Sequence, residues 1–124
     1  MALGTATKAS GFNSLAMMRQ SAAEGDFSAA LGTVAWAKGN GSFAMGYSAT
    51  AKADQSIAIG AAETKKLPGQ QHGTPSAQYN GDGNTVTEGV RSLAFGTKAR
   101  TSTAASDSMA FGSSSSTGGA NAVA

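Results

Sequence analysis

The sequence predicts an all-β protein built as a β-roll, a β-solenoid in which short parallel strands stack turn upon turn. The first observation is a recurring string, Ser-apolar-Ala-apolar-Gly, whose serines fall at positions 14, 28, 42, 56, 92 and 108. The second is composition, because Ala, Gly, Ser and Thr supply 71 of the 124 residues and Leu, Ile, Val and Phe only 16. Such a chain cannot build the thick aliphatic core of an ordinary globular enzyme, and a net charge of +2 does not favour disorder.

Each 14-residue unit is expected to hold two strands. In the string, apolar residues such as Leu93 and Phe95 lie two positions apart, which places them on one face of a strand but about 200° apart on a helix. The glycine that ends the string is typical of a strand end and unfavourable within a helix. A weaker alternation follows in the second half of the unit, as in residues 35–39, Ala-Trp-Ala-Lys-Gly. The pattern therefore predicts strand, turn, strand and turn in every unit.

The middle of the string is alanine in every copy. This column reads Ala2, Ala16, Ala30, Ala44, Ala58, Ala94, Ala110 and Ala124. We expect the larger residues on either side to fill a thin interior, and the alanines to form a face that packs closely against other copies of the chain. The residues expected in core and inter-chain packing are Ala16, Ala30, Leu31, Ala44, Met45, Ala58, Ile59, Ala94, Phe95, Ala110 and Phe111.

The repeated unit resembles the head domains of trimeric autotransporter adhesins of the Yersinia adhesin (YadA) type, over residues 1–60 and 92–124. The resemblance implies a left-handed parallel β-roll that assembles as a homotrimer on the outer membrane of a Gram-negative bacterium. It also implies a non-catalytic adhesin at the bacterial cell surface, attaching to host extracellular matrix proteins or host cells, or mediating bacterial aggregation. With no stalk or anchor, the chain is interpreted as one head-domain fragment, 1–124, which begins and ends in mid-repeat.

Four features depart from a regular repeat. Met18 stands where other units have the turn glycine, so an altered turn is expected there. Residues 102–107 carry two extra residues, which predicts a bulging loop, and the degenerate stretch 113–119 is expected to fray. The fourth is a spacing of 36 residues between Ser56 and Ser92, an insertion of the kind that heads of this family carry.

The insertion, with its turn, spans residues 61–91 and is the first candidate contact surface, because loops on a rigid scaffold often carry binding residues. Residues 76–80 and 84–87 are predicted to form a β-hairpin whose tip is Gly81-Asp82-Gly83. The alternative is that the insertion only packs against a neighbouring subunit or tolerates extra length. The candidate partner-binding residues in and beside it are Lys65, Lys66, His72, Tyr79, Asp82 and Arg91.

Trp36 is a further candidate for partner binding, because its neighbours Ala35 and Ala37 should point inward and leave the indole outward. Packing of Trp36 against a neighbouring loop or subunit is the alternative. A 14-residue register also aligns Lys38, Lys52 and Lys66 as three stacked cations on one edge. Such a column would attract acidic polymers weakly, or would discourage pairing between sheets.

Composition and motifs argue against several other functions. The nine basic residues are scattered, so no nucleic-acid partner is indicated, and no apolar run is long enough to span a membrane. No cysteine is present for disulfide or thiolate chemistry. His72 has no partner at metal-ligand spacing, and residues 80–84 lack the glutamate of a calcium loop, so neither metal nor cofactor is expected.

Three alternatives to an adhesin head differ in plausibility. A structural spacer in a surface fibre, with no ligand of its own, fits the same repeats. An acyltransferase of the hexapeptide-repeat class fits poorly, because 14 is not a multiple of six and His72 would be the only candidate base. An ice-binding solenoid requires a regular threonine column, whereas Thr33 and Thr97 are separated by turns without threonine at that position.

Overall fold

The computed structural model describes residues 1–66, 79–82 and 84–124, and for residues 63–66 and 79–82 it describes the backbone only. Sixteen short strands lie in these ranges. They are β1 Ala2–Leu3, β2 Lys8–Ala9, β3 Leu15–Met17, β4 Ala22–Ala23, β5 Ala29–Leu31, β6 Trp36–Ala37, β7 Phe43–Met45, β8 Thr50–Ala51, β9 Ile57–Ile59, β10 Glu63–Lys66, β11 Tyr79–Asp82, β12 Val86–Thr87, β13 Leu93–Phe95, β14 Arg100–Thr101, β15 Met109–Phe111 and β16 Ser116–Thr117.

The strands form two parallel sheets, and each turn of the chain adds one strand to each sheet. The first sheet has the order β1-β3-β5-β7-β9-β13-β15, and the second has the order β16-β14-β12-β8-β6-β4-β2. Pairing follows the repeat, because Ala30 pairs with Ala44 and Ala44 pairs with Ala58, so alanine stacks on alanine at every step. The predicted all-β parallel solenoid, in which one repeat unit forms one turn, is therefore confirmed.

Tight bends at fixed positions of the turn allow so short a repeat to close. The glycine that ends each string has a positive φ, and Gly46 with φ 117° is representative. Its missing side chain also matters, because a Cβ on Gly46 would collide with the carbonyl oxygen of Gly60 in the next turn. Two further columns lie in the left-handed region with φ between 52° and 64°. They comprise Ala6, Gln20, Val34, Ser48, Lys98 and Ser114, and Asn13, Phe27, Gly41, Gln55, Arg91, Asp107 and Asn121.

The interior of the roll is lined by small side chains, and this overturns the expectation that larger residues fill it. The alanines in the middle of the strings are buried, and Ala16, Ala30, Ala44, Ala58, Ala94 and Ala110 have no exposed surface. The alanines of the second sheet, such as Ala37 and Ala51, face them from the opposite side and are equally buried. With two strands to a turn, the sheets lie so close together that only Ala, Ser and Thr fit between them.

The larger residues of the first sheet point away from the interior, so its two faces are the reverse of those expected. Met45 is 45% exposed, Phe95 40% and Phe111 60%, and Leu31 and Ile59 are partly exposed. Strand alternation places neighbouring residues on opposite faces but does not say which face is inside. Burying the alanines allows a close approach of the two sheets that Met or Phe in the same place would prevent.

Hydroxyl groups inside the roll are mostly satisfied by local hydrogen bonds. Ser28 Oγ donates to the carbonyl oxygen of Gly25 at 2.6 Å, and Ser56 Oγ makes the equivalent bond to Ala53 at 2.7 Å. In the C-terminal turns, threonine replaces alanine in the second sheet. Thr87 Oγ1 donates to Ser56 Oγ at 3.1 Å, which links the two sheets through a buried polar pair.

The insertion leaves the roll after Ala62 and forms a short antiparallel ribbon of β10 and β11. The roll then resumes, because Val86 pairs with Thr50 on one side and Arg100 on the other. The predicted hairpin between residues 76–80 and 84–87 is therefore wrong, since β12 belongs to the second sheet. Thr85 and Thr87 continue the interior pattern of that sheet, whereas Val86 lies in the outward column of Thr50 and Arg100 and is buried there.

Two other irregularities differ in outcome. Met18 has φ 81°, whereas the glycines that occupy its place in other turns have φ between 117° and 148°, so the turn is altered there as expected. The stretch 113–119 does not fray, because β16 pairs with β14 in the register Arg100 to Ser116. Its serines therefore complete a regular turn of the second sheet.

Candidate functional site

The two outward surfaces of the roll differ in chemistry. The outward side of the first sheet carries two columns of apolar residues, and we call it the apolar face. Its members are Leu15, Ala29, Phe43, Ile57, Leu93, Met109 and Val123 in one column, and Leu3, Met17, Leu31, Met45, Ile59, Phe95 and Phe111 in the other. The outward side of the second sheet, the polar face, carries Lys8, Trp36, Arg100, Glu24, Lys38, Lys52 and Glu88 among smaller residues.

The apolar face is a continuous hydrophobic surface along all seven strands of the first sheet. Phe95 and Phe111 stack in adjacent strands with ring centroids 5.0 Å apart and an interplanar angle of 7°. Beside Met45, a groove of about 420 Å³ is lined by Leu31, Tyr47 and the glycines Gly32 and Gly46. Contiguous apolar surfaces of this extent usually mark a site of protein association.

Trp36 lies on β6 in the polar face. It is 36% exposed, while Ala35 and Ala37 on either side are 1% and 0% exposed, so the predicted outward orientation is confirmed. Its Nε1 donates a hydrogen bond of 3.1 Å to Oε2 of Glu24. The ammonium of Lys38 lies over the indole, 5.5 Å from the ring centroid. The indole is therefore held in one orientation by polar contacts on its edge and on one face.

Glu24 connects Trp36 to the cations of the polar face. Lys8 Nζ donates to Oε1 of Glu24 at 3.0 Å, and this hydrogen bond, with the one from Trp36, lowers the pKa of Glu24. A similar pair joins Lys52 Nζ to Oε1 of Glu88 at 2.7 Å and lowers the pKa of Glu88. Both carboxylates are thus held in their charged form at neutral pH.

The three stacked lysines expected from the sequence are not formed. Lys66 pairs with Tyr79 in the antiparallel ribbon, and Glu88 takes the place beside Lys52. The insertion displaces the register of the repeat, so counting one repeat length on from Lys52 reaches the ribbon instead of the second sheet. The column that was expected to hold three cations therefore holds two, Lys38 and Lys52, with Glu24 before them and Glu88 after them.

A groove of about 280 Å³ lies beside Trp36 on the polar face. Gln20 and Val34 line it from earlier bends of the roll, and Ser48 and Asn84 line it from later ones. Asn84 Nδ2 donates to Thr50 Oγ1 at 3.1 Å, which fixes the amide at one side of the groove. The sequence alone did not predict a role for Glu24, Gln20 or Asn84, although alignment of the repeat on Val86 places Asn84 near Thr50.

The structure separates the other sequence-predicted residues. Lys65 and Lys66 lie on β10, and Tyr79 and Asp82 on β11, directly across the ribbon from Lys66 and Glu63 respectively. Their side chains lie outside the described residues, as does the whole of His72. Arg91 belongs to the roll, where Nε and Nη2 donate to the two carboxylate oxygens of Asp107 at 2.6 and 2.8 Å. That contact lowers the pKa of Asp107, and through it Arg91 links two adjacent turns of the roll.

In residues 1–66, 79–82 and 84–124, no three His, Cys, Asp or Glu side chains converge as metal ligands would. The same ranges contain no helix with the length and apolar character needed to cross a membrane.

Comparison with known proteins gives one match. Residues 1–17 and 37–62, about a third of the chain, match the family model of the YadA head domain repeat in two copies. The second copy includes β7, β8 and β9, and so covers both sheets at the centre of the roll. No curated protein matches the chain.

Proposed function

This chain carries YadA head repeats folded as a parallel β-solenoid, and from that premise we propose that it is the head segment of a trimeric autotransporter adhesin. In this proposal the head is displayed at the surface of a Gram-negative bacterium, held by an outer-membrane anchor elsewhere in the protein. It attaches the cell to host extracellular matrix, to host cells or to other bacteria. It acts by binding, without catalysis and without a cofactor.

The apolar face is the observation that supports this proposal. In the single chain, apolar residues such as Met45 and Phe95 are exposed to water along all seven strands of the first sheet. This exposure is unfavourable in free energy. The interior of the roll buries only small side chains, so it contributes little apolar area of its own. Three copies that bring their apolar faces together would bury both columns and supply the missing core.

The same packing would place the polar face on the outside. Trp36, Lys52 and Glu88 would then face solvent on all three chains, and each binding site would be present three times. Three weak sites on one rigid body bind a surface with many ligands far more tightly than one site does. The polar face and the insertion at 61–91 are therefore the proposed contact surfaces.

Sedimentation velocity of the purified chain tests the assembly. We expect a trimer, and we expect Met45→Lys or Phe95→Lys to shift the protein towards monomer, because each charge would be buried at the interface. Ser116→Lys is the matched control, since Ser116 is exposed on the second sheet. A monomeric wild-type chain, or a trimer unaffected by Phe95→Lys, would contradict the proposed packing.

Binding to immobilised matrix proteins and to cultured host cells tests the activity. Deleting residues 63–84 joins Ala62 to Thr85 and restores the 14-residue spacing, so the roll should survive the deletion. Because the deletion also removes Asn84 from the groove beside Trp36, loss of binding by this trimeric variant would assign the contact to the insertion only where Asn84→Ala still binds. If the wild-type trimer binds none of the surfaces and does not aggregate bacteria that display it, the chain is a structural spacer.

A further inference from the structure

We infer that the groove beside Trp36 binds a neutral sugar ring. This inference deepens the proposed function, on which it rests, by naming the class of ligand that one surface of the head would hold. It depends on four features of the polar face: an oriented indole, a groove beside it, uncharged polar groups around it, and its position away from the apolar face.

The indole of Trp36 is held in one orientation in the free protein. Glu24 fixes its N–H at 3.1 Å, and Lys8 fixes Glu24 in turn at 3.0 Å. Lys38 lies over the ring at 5.5 Å, and it is not among the residues that line the groove. A side chain whose rotamer is already fixed loses little conformational entropy when a ligand packs against it.

The groove offers hydrogen-bonding groups without charge. Gln20 and Asn84 supply amides and Ser48 supplies a hydroxyl, whereas the hydroxyl of Thr50 is already bonded to Asn84 and to the carbonyl oxygen of Ser48. Amides and hydroxyls can each donate and accept, so they suit the hydroxyl groups of a sugar, which also do both. The described residues that line the groove carry no charge, so neither an anionic nor a cationic ligand would find its counter-ion there.

A pyranose ring matches this combination. One of its faces presents mainly C–H groups, which carry a small positive charge and pack against the negative face of an aromatic ring. Its edge presents hydroxyls, which would reach Gln20 and Asn84 while the C–H face contacts Trp36 and Val34. The volume of about 280 Å³ is at the small end for ligand pockets, as expected for a single ring of a surface glycan.

Titration of the assembled protein with neutral methyl glycosides tests the inference, using the fluorescence of Trp36. The chain contains a single tryptophan, so any change reports on this groove directly. We expect saturable quenching or a shift of the emission by at least one of the methyl glucoside, galactoside, mannoside and N-acetylglucosaminide. No change with any of the four at concentrations that saturate weak lectin sites would overturn the inference.

Variants separate specific binding from a general effect on the indole. Asn84→Ala and Gln20→Ala should each weaken the binding of the responding glycoside about tenfold, which is the order expected for a lost hydrogen bond to a polar ligand. Ser116→Ala is the control, because Ser116 lies on the second sheet outside the groove, and its affinity should equal that of the wild type. Unchanged affinity in both groove variants would refute the site.

Two further ligands distinguish a neutral sugar from other classes of ligand. Sialyllactose tests an acidic sugar, and a proline-rich peptide tests a protein ligand. If the peptide alone quenches Trp36 and loses that effect in Asn84→Ala, the groove is a peptide site and the inference is wrong. The outcome is independent of the proposed function, because a trimer that binds matrix proteins but no glycoside would refute only the sugar site.

Discussion

Oδ1 of Asn40 accepts a hydrogen bond of 3.0 Å from the backbone amide of Asp26, which lies one turn earlier in the roll. The same contact is repeated on both sides, since Asp26 Oδ1 accepts from the amide of Phe12 at 2.8 Å and Asp54 Oδ1 accepts from the amide of Asn40 at 2.9 Å. Each side chain at this bend therefore satisfies a backbone donor of its neighbouring turn. The column is a ladder in which an uncharged residue separates two carboxylates.

Asn40→Asp should destabilise the roll at neutral pH. It would place three carboxylates in successive turns about 4.8 Å apart, at a cost of about 0.5–1 kcal/mol from like-charge repulsion. Salt screens the repulsion, so the loss should diminish as the ionic strength is raised. Thermal unfolding at low and high salt measures this. Asn40→Ala is the control, because it should lose about 1 kcal/mol without that dependence on salt.

Ala44→Leu should disrupt the roll itself. Ala44 has no exposed surface and faces the second sheet, so the added atoms would force the sheets apart at a cost of about 2–3 kcal/mol. Urea unfolding measures the loss, and Ser116→Leu introduces the same side chain on the outside as a control. A stable roll that has merely lost its subunit association would show that the alanines face another chain after all.

Gly46→Ala and Gly112→Ala should differ, although the two glycines have nearly the same backbone conformation, with φ 117° and 120°. Both variants would incur about 1–3 kcal/mol for a side chain at positive φ. Only at Gly46 would the new Cβ also meet the backbone of the next turn, at Gly60, whereas the space around Gly112 is open. Calorimetry should therefore find Gly46→Ala the less stable variant. Equal losses would mean that close stacking of the turns contributes nothing.

Met18→Gly should raise the stability of the protein by about 1 kcal/mol, because Met18 has φ 81° in a region that glycine occupies without a steric penalty. Met18 is 55% exposed, so little buried area would be lost with its side chain. The melting temperature, compared with that of Met18→Ala, measures the effect. Alanine keeps the unfavourable Cβ, and a gain of equal size in Met18→Ala would rule out the backbone explanation.

In Glu88→Gln, the free energy of unfolding should fall less steeply with decreasing pH than it does in the wild type. The hydrogen bond from Lys52 lowers the pKa of Glu88 from 4.5, so the ion pair contributes fully above that value and is lost as the pH falls through the lower folded-state pKa. At neutral pH the variant should lose at most about 1 kcal/mol, because the pair is partly exposed. Chemical unfolding across the acid range measures both effects. A variant that parallels the wild type below 4.5 would show that Glu88 does not titrate with folding.

The amino-acid sequence determined the period, the strand positions and the regions that interrupt them. Identical units at a constant spacing can pair only in register, so the column from Ala16 to Ala110 and the glycine at each bend could be predicted directly. The outward position of Trp36 followed from the alternation of a strand. Its contacts with Glu24 and Lys38 could not be predicted in this way, because they depend on the conformations of the side chains. Glu24 lies in the preceding turn, and Lys38 follows Trp36 by two residues.

Only the tertiary structure decided which face of the strands is inside. The alternation of a strand predicts two faces but not which of them is buried. The larger residues, such as Met45 and Phe95, were therefore expected in the core. Two strands in so short a turn bring the sheets too close for those side chains, so Ala44 and Ala58 fill the interior and the apolar columns remain outside. The insertion likewise hid the pairing of Lys52 with Glu88, because counting by the repeat fails wherever the chain leaves the roll and returns.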